Sequence, residues 1–421
     1  MTSPVWHPFT QHGLGEDIPL VERAAGAHLH LADGRTLIDC ISSWWVTTHG
    51  HCEPRIAAAI AAQAGKLDQL IFAGHTHEPA ERVAAALVAM TPPSLTRVFF
   101  SDSGSTAVEV ALKMALGYWH RRGEGRHRIL VLEHSYHGDT IGAMSVGARG
   151  VFNRRYEPLL FDVGTIPFPL PGREQETLDA LEAAAKGPDR PAAFIVEPLI
   201  LGAGGMLIYP AAVLKEMAAI CAAHGILFIA DEVMTGWGRT GTVLAIEQAG
   251  FQPDILCIAK GLTGGAIPLA ATLASEAVFE AHLSQDRADM FYHSSSYTAN
   301  PIACAAAVAN IAIWSEEDVI GRIARVGDAL TKGLASLAGH PAFANPRHIG
   351  AIAAIDMQAA DAGYLSALAP ALRAFFLERG LLLRPLGNTI YVMPPYCLTG
   401  DEAALIFAAI AEAGDRFGKA D

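Results

Sequence analysis

Two hydrophobic periods alternate along this chain. Short runs rich in Ile, Val and Leu stand at Ile129 to Glu133, Ala193 to Glu197, Ile226 to Asp231 and Asp254 to Lys260. Each is too short for a stable helix and reads as a strand buried on both faces. Between and around them lie Ala-rich stretches with helical spacing, at Pro54 to Gln63, Pro79 to Met90, Leu178 to Lys186 and Pro210 to His224, and a helical face formed by Val108, Ala111, Leu112, Ala115 and Trp119. This alternation predicts an α/β fold with a mainly parallel sheet flanked by helices. Pro158 to Pro171 reads as a loop, and Asn300-Pro301 as the capped start of a helix over Ile302 to Trp314.

The two ends of the chain are patterned differently. His28 to Asp39 alternates around Asp33-Gly34, a hairpin signal. Beyond Trp314 come helical patterns to Leu337, a hairpin-like pair over Ile349 to Asp356, a helix to Arg379 and strands near Leu381 to Arg384 and Ile390 to Met393. The expected organisation is a large domain over 49–313 and a small α+β domain built from both termini, 1–48 and 314–421.

Composition narrows the class of function. With 51% hydrophobic and 17% charged residues the 421-residue chain is that of a compact globular protein. A net charge of −13 argues against nucleic acid or an anionic membrane as partner, leaving small-molecule chemistry. The cysteines Cys40, Cys52, Cys221, Cys257, Cys304 and Cys397 are scattered, without a Cys-x-x-Cys pair, as expected of free thiols in a reducing compartment. The N-terminus lacks a basic region followed by an apolar one, so the expected location is the cytoplasm.

Chemistry concentrates between Ile226 and Lys260. Two apolar strands each end on a charged residue, Asp231 and Lys260, separated by enough chain for a crossover between parallel strands. Either residue alone would read as a turn cap or a solvated strand end. Jointly they suit pyridoxal phosphate, whose aldehyde takes a lysine and whose ring nitrogen takes a carboxylate. A strand ending at Ser101 runs through Asp102-Ser103-Gly104-Ser105 into a helix, with Thr106 and Glu109 spaced as a capping box, so Gly104 and Ser105 are the expected phosphate cradle. Tyr136, at the edge of another strand, is placed to stack on a flat heterocycle. His134 and His137 beside it have no further ligands at metal spacing, and no metal site is expected. Glu197 reads equally as a neighbour of the cofactor or half of an ion pair. Trp44-Trp45 suits core packing or a pocket wall. Ser294 to Ser296 suit turn chemistry or donation to phosphate, and Arg384 is either a surface residue or a carboxylate anchor.

Taken together, Trp6-His-Pro-Phe9-Thr-Gln, Ser42-Ser-Trp-Trp45, Ser101-Asp-Ser-Gly-Ser105, Tyr136-His-Gly-Asp-Thr140, Gly202-Ala-Gly-Gly-Met206, Asp231-Glu, Gly238-Arg-Thr-Gly241, Lys260-Gly-Leu-Thr-Gly-Gly265, Arg384-Pro and Met393-Pro-Pro-Tyr396 resemble the class III aminotransferases of fold type I over nearly the whole chain. The likeness is strongest to members that aminate 8-amino-7-oxononanoate for biotin synthesis with S-adenosylmethionine as donor. It implies Lys260 at the cofactor aldehyde, Asp231 at the ring nitrogen, Tyr136 over the ring, and Gly104 with Ser105 at the phosphate. It further implies Trp44 in the substrate pocket, Arg384 on the substrate carboxylate, and a homodimer in which Ser294, Ser295 and Ser296 reach the partner's site. Phe9 stands where such members have Tyr, at a position tied to substrate recognition, and His293-Ser-Ser-Ser-Tyr-Thr replaces their His-Gly-Pro-Thr. Both variants also resemble relatives that use lysine as donor. A glutamate-1-semialdehyde aminomutase and a regulatory protein that only binds pyridoxal phosphate are the competing readings. Trp44-Trp45 and Met393-Pro-Pro-Tyr396 speak against the first, and the acidic charge against a DNA-binding form of the second.

Overall fold

The computed structural model describes residues 3–358 and 368–418. In it the short apolar runs form the middle of a seven-stranded sheet. Its strands in chain order are β1 Leu95–Ser101, β2 Ile129–Leu132, β3 Gly164–Ile166, β4 Ala193–Val196, β5 Leu227–Asp231, β6 Ile255–Ile258 and β7 Ala270–Ser275. They lie side by side as β1-β7-β6-β5-β4-β2-β3. β5 is parallel to β4 and β6, and β2 to β4 and β3. β7 is antiparallel to both β6 and β1.

Every residue of β2, β4, β5 and β6 is buried, which is why these strands read as continuous apolar runs instead of alternating ones. The pleat still sorts their side chains. Ile129, Val131, Ile195 and Ile229 pack with the helix Gly104–Arg121 on one face, and Leu130, Phe194, Val196 and Phe228 with the helix Ala211–His224 on the other. Gly225, at φ 60°, ends the latter helix in the left-handed conformation that glycine adopts without strain. Asn300 caps the helix Pro301–Glu316 as its sequence predicts, its side chain accepting from the amides of Ile302 and Ala303 at 3.1 Å each.

Two expectations need correction. The helix after β1 opens at Gly104, one turn earlier than the predicted capping box, with Ser103 as cap and Thr106 as its partner. Glu109 instead lies inside the helix and accepts from the amides of Gly142 and Ala143, tying a neighbouring turn to it. The Pro-rich stretch also contains β3, a three-residue edge strand too short to show periodicity.

A second hydrophobic core collects both ends of the chain. Ala27, Cys40, Ile41 and Trp45 pack there with Ile352, Ile355, Phe376, Ile390, Val392 and Ile406. The predicted hairpin, His28–Leu31 with Thr36–Asp39, is completed by Leu381–Leu382, which runs parallel to Thr36–Asp39. Phe343–Ile349, Ile352–Met357 and Thr389–Val392 form a separate antiparallel sheet. Among the described residues no helix is long and apolar enough to cross a membrane.

The core argument has a direct test at Phe194, which is fully buried and meets Phe228 edge-on at 5.8 Å between ring centres. Phe194→Ala is expected to cost about 3–5 kcal/mol, read as a lower denaturant midpoint; an unchanged midpoint would place the core elsewhere.

Candidate active site

β5 and β6 set the site by register. Asp231 pairs across from Cys257, so the chain leaving β6 reaches Lys260 just beyond the same sheet edge. The two residues line one cavity of about 360 Å³, together with Ser105, Tyr136, His137 and Glu197. That volume suits a small aromatic ligand.

Each wall has a local cause. Gly104 and Ser105 sit in the first turn of their helix, where unpaired amides and the helix dipole attract an anion. Gly104 lets this turn approach β5, since a Cβ there would lie 2.5 Å from Val233 Cγ1. Gly138, at φ 129°, closes on the same turn, and a Cβ there would lie 2.0 Å from Ser105 Oγ. Ser105 Oγ accepts the Asp139 amide at 3.2 Å.

Asp231 is buried without a lysine or arginine partner among the described residues. His137 Nδ1 donates to its Oδ2 at 2.6 Å and the Val233 amide to its Oδ1 at 3.1 Å. Glu197 is the neighbour the sequence left open, and it is no ion pair: it accepts the amides of Tyr136 and Gly202 at 3.0 Å each. Burial pushes its pKa up to about 7, with His137 drawing it down and the Asp231 charge adding to the rise. Burial and the charge of Asp139 likewise raise Tyr136, whose ring lines the cavity. Lys260 has φ 45°, and its Nζ lies 4.9 Å from the centre of the Trp45 ring. Burial lowers its pKa to about 8, against the opposing pull of Asp231 and Glu197.

A second cavity of about 490 Å³ is lined by Phe9, Asp139, Phe152, Arg373 and Arg384. Aromatic contacts join it to the first: Tyr136 to Phe152 at 6.2 Å, Phe152 to Phe9 at 6.3 Å, and Phe9 to Trp44 at 5.4 Å. The Arg384 guanidinium stands 5.3 Å from the Trp44 ring centre and donates to the Phe9 carbonyl at 3.1 Å. It makes no ion pair among the described residues, whereas Arg373 is paired with Glu16 at 3.0 Å.

The class III aminotransferase profile matches residues 12–413. The chain belongs to the class III aminotransferases. It is 50% identical over 97% of both chains to the adenosylmethionine-8-amino-7-oxononanoate aminotransferase of Synechococcus elongatus, and 40% identical over 97% of this chain and 94% of the relative to that of Anoxybacillus flavithermus. Among solved structures, the enzyme of the same name from Methanocaldococcus jannaschii superposes with a TM-score of 0.94 at 33% identity, covering 98% of this chain and 97% of that one. An amine transaminase from an uncultivated Pseudomonas species, crystallised with pyridoxal phosphate, also superposes with a TM-score of 0.94, at 34% identity over 99% and 100% of the two chains. The fold is therefore that of the pyridoxal phosphate-dependent aminotransferases, as the motifs implied.

The cavity fits this cofactor on its own chemistry. Its lining offers an anion site, a buried carboxylate oriented by His137, and a primary amine. Gly104, Ser105, Tyr136, Asp231 and Lys260 all line it as the sequence predicted. Phe9, Trp44 and Arg384 gather at the second cavity. Of the adjacent tryptophans, Trp45 lines the inner cavity and Trp44 faces the outer group. Ser294, Ser295 and Ser296 line neither cavity; Ser295 Oγ donates to Asp102 Oδ1 at 2.9 Å, at the rim. Sequence reasoning missed His137 as the partner of Asp231. Its adjacency to Tyr136 was the one available signal, and the residue it serves lies 94 positions away.

In the cofactor-free protein, carbamylation of Lys260 by cyanate, followed by peptide mass spectrometry, is expected to rise through a midpoint near pH 8. Asp231→Asn removes a charge that favours the ammonium and moves that midpoint lower. A midpoint at the ordinary lysine value of about 10.4 would overturn the burial argument.

Proposed function

We propose that this aminotransferase transfers an amino group from S-adenosylmethionine to the 7-keto carbon of 8-amino-7-oxononanoate, yielding the 7,8-diaminononanoate of biotin synthesis. The names of its relatives support the pair of substrates. The observation that carries the reading is the aromatic run from Tyr136 through Phe152 and Phe9 to Trp44, which ends at Arg384, an arginine without an ion-pair partner among the described residues. It suits a long aliphatic chain with a carboxylate at its far end.

In this reading Arg384 receives the substrate carboxylate, and Trp44 and Phe9 cover the methylene chain. Bound pyridoxal phosphate supplies an aldehyde that accepts the amino group and a ring that takes up electrons. Ser105 and the amides around Gly104 anchor its phosphate from one subunit, and Ser295 and Ser296 of a second copy reach the same group. Asp231, oriented by His137, would hold the ring-nitrogen side of the cofactor. Tyr136 packs over the ring and helps exclude water. Lys260, with a pKa near 8, has a neutral fraction at physiological pH. Its Nζ takes the proton from the amine-bearing carbon of the donor and later delivers one to the acceptor carbon. Because donor and acceptor use one site in turn, the kinetics are ping-pong.

Lysine as donor is the second reading. It is favoured by Phe9, whose ring meets Trp44 and Phe152 and brings no hydroxyl to the outer cavity. We also infer a cytoplasmic homodimer with shared sites. Its support is the exposure of Met290, Tyr292 and Tyr297 around the three serines, apolar surface that a second copy would cover. The second core supports dividing the chain into a small domain of 1–48 with 314–421 and a large domain of 49–313.

Purified holoenzyme given 8-amino-7-oxononanoate separately with S-adenosylmethionine, lysine and glutamate is expected to form the diamine with the first only. Product with lysine alone would replace the donor, and intersecting initial-rate lines would exclude the ping-pong scheme. Lys260→Ala is expected to abolish transfer. Arg384→Ala should raise KM for the oxononanoate by roughly 10–100-fold, the worth of a charged hydrogen-bonded contact of about 1.5–3 kcal/mol.

A further inference from the structure

We propose that Asp39, held by His51, is a positioning residue that sets substrate affinity through the placement of Trp44. The proposal rests on the reading of Trp44 as substrate wall. Asp39 ends its strand fully buried and touches neither cavity, yet its carboxylate is the organising centre of the turn that follows. Oδ1 accepts the Ile41 amide at 3.2 Å, while Oδ2 accepts the Ser43 amide at 2.7 Å, the Ser43 hydroxyl at 3.4 Å and His51 Nε2 at 2.7 Å.

That turn needs an organiser. Ser42, Ser43 and Trp45 all have positive φ, at 51°, 58° and 65°, and none is glycine. Left-handed backbone at side-chain-bearing residues persists only where surrounding contacts over-determine it. Two of those contacts lie on the C-terminal part of the chain: Ser42 Oγ donates to the Met393 carbonyl at 2.8 Å and Trp45 Nε1 to Tyr391 Oη at 2.9 Å. They hold Ser42 and Trp45. The residue directly before Trp44 is held by Asp39 alone among these groups, through both its amide and its hydroxyl. This turn sends Trp45 toward Lys260 and Trp44 toward Phe9 and Arg384.

His51 completes the device from the opposite side. Its side chain is mostly buried, and its backbone is fixed by bridging to Gly26, so the imidazole is presented to Oδ2 from a rigid point. An Asn at 39 has the same shape but brings an NH2 group that faces donors in either orientation. A Gln at 51 retains an N–H able to reach the carboxylate, and a Leu does not.

The test uses holoenzyme and cofactor-free forms of Asp39→Asn, His51→Leu, His51→Gln and Trp44→Phe, with the double variant Asp39→Asn/Trp44→Phe. Asp39→Asn and His51→Leu should raise KM for 8-amino-7-oxononanoate about tenfold and leave kcat within about twofold, a loss of substrate binding alone. Cofactor absorbance should be retained, and His51→Gln should keep the parent KM. The double variant should be no worse than Trp44→Phe, because both changes act on one ring. In the cofactor-free proteins, Asp39→Asn should increase acrylamide quenching of tryptophan fluorescence, and the increase should vanish in the Trp44→Phe background. Multiplicative KM effects in the double variant, a His51→Gln equal to His51→Leu, or a quenching change that survives Trp44→Phe would each overturn the proposal. Should Asp39→Asn not fold, the two His51 variants decide it alone. Should no variant or parent form the diamine, the substrate reading fails while the quenching comparison still judges Asp39.

Discussion

A carboxylate buried at a strand end, with no lysine or arginine partner among the described residues, is the constraint from which the rest of this site follows. Removing an ionised carboxylate from water costs several kcal/mol even after relaxation. Asp231 meets that cost with a 2.6 Å bond from His137 and one backbone amide, and it lines the cavity. Its charge then reaches outward. It helps raise Glu197 toward neutrality and partly offsets the burial that lowers Lys260.

The same economy of buried polar groups ties the two cores together. Arg239 is almost wholly buried, and its guanidinium donates to the carbonyls of Pro394 at 3.0 Å and Thr47 at 2.8 Å while lying 5.0 Å from the Tyr396 ring centre. Glu232, next to Asp231, accepts from Thr235 and from the amides of Ala245 and Ile246, so the loop carrying Arg239 is folded back on the strand that carries Asp231. One end of β5 thereby positions the cofactor cavity, and the loop after it grips both termini. The outer cavity, lined by Phe9 from one end of the chain and Arg384 from near the other, depends on that grip.

Small residues at the cofactor cavity serve close approach. Gly104 against Val233, and Gly138 against Ser105, bring a helix start, a strand end and a loop nearer than any Cβ would permit. The adjacent tryptophans show the opposite device, a strained turn that large side chains occupy because hydrogen bonds hold it. Positive φ at Ser42, Ser43 and Trp45 costs on the order of 1–3 kcal/mol for each residue, and such cost is commonly retained where a side chain must be aimed.

Most elements are legible in local pattern. Strands buried on both faces show as unbroken apolar runs, and Asn300, Pro210 and Gly225 mark helix ends by backbone rules that act within a few residues. Asp231 and Lys260 were legible because parallel strands deliver their terminal residues to one edge. Tertiary structure decided what depends on distant partners. It moved the helix cap to Ser103, made an edge strand within a proline-rich stretch, chose His137 as the neighbour of Asp231, and turned Glu197 onto backbone amides. It also turned Trp45 toward Lys260 and Trp44 toward Phe9 and Arg384, in a turn held by Asp39, Tyr391 and Met393. Local pattern encodes which face of an element is apolar; the direction of a side chain at a turn is set by particular hydrogen bonds, here one to a residue four positions away and others to residues hundreds of positions away, and no periodicity records those.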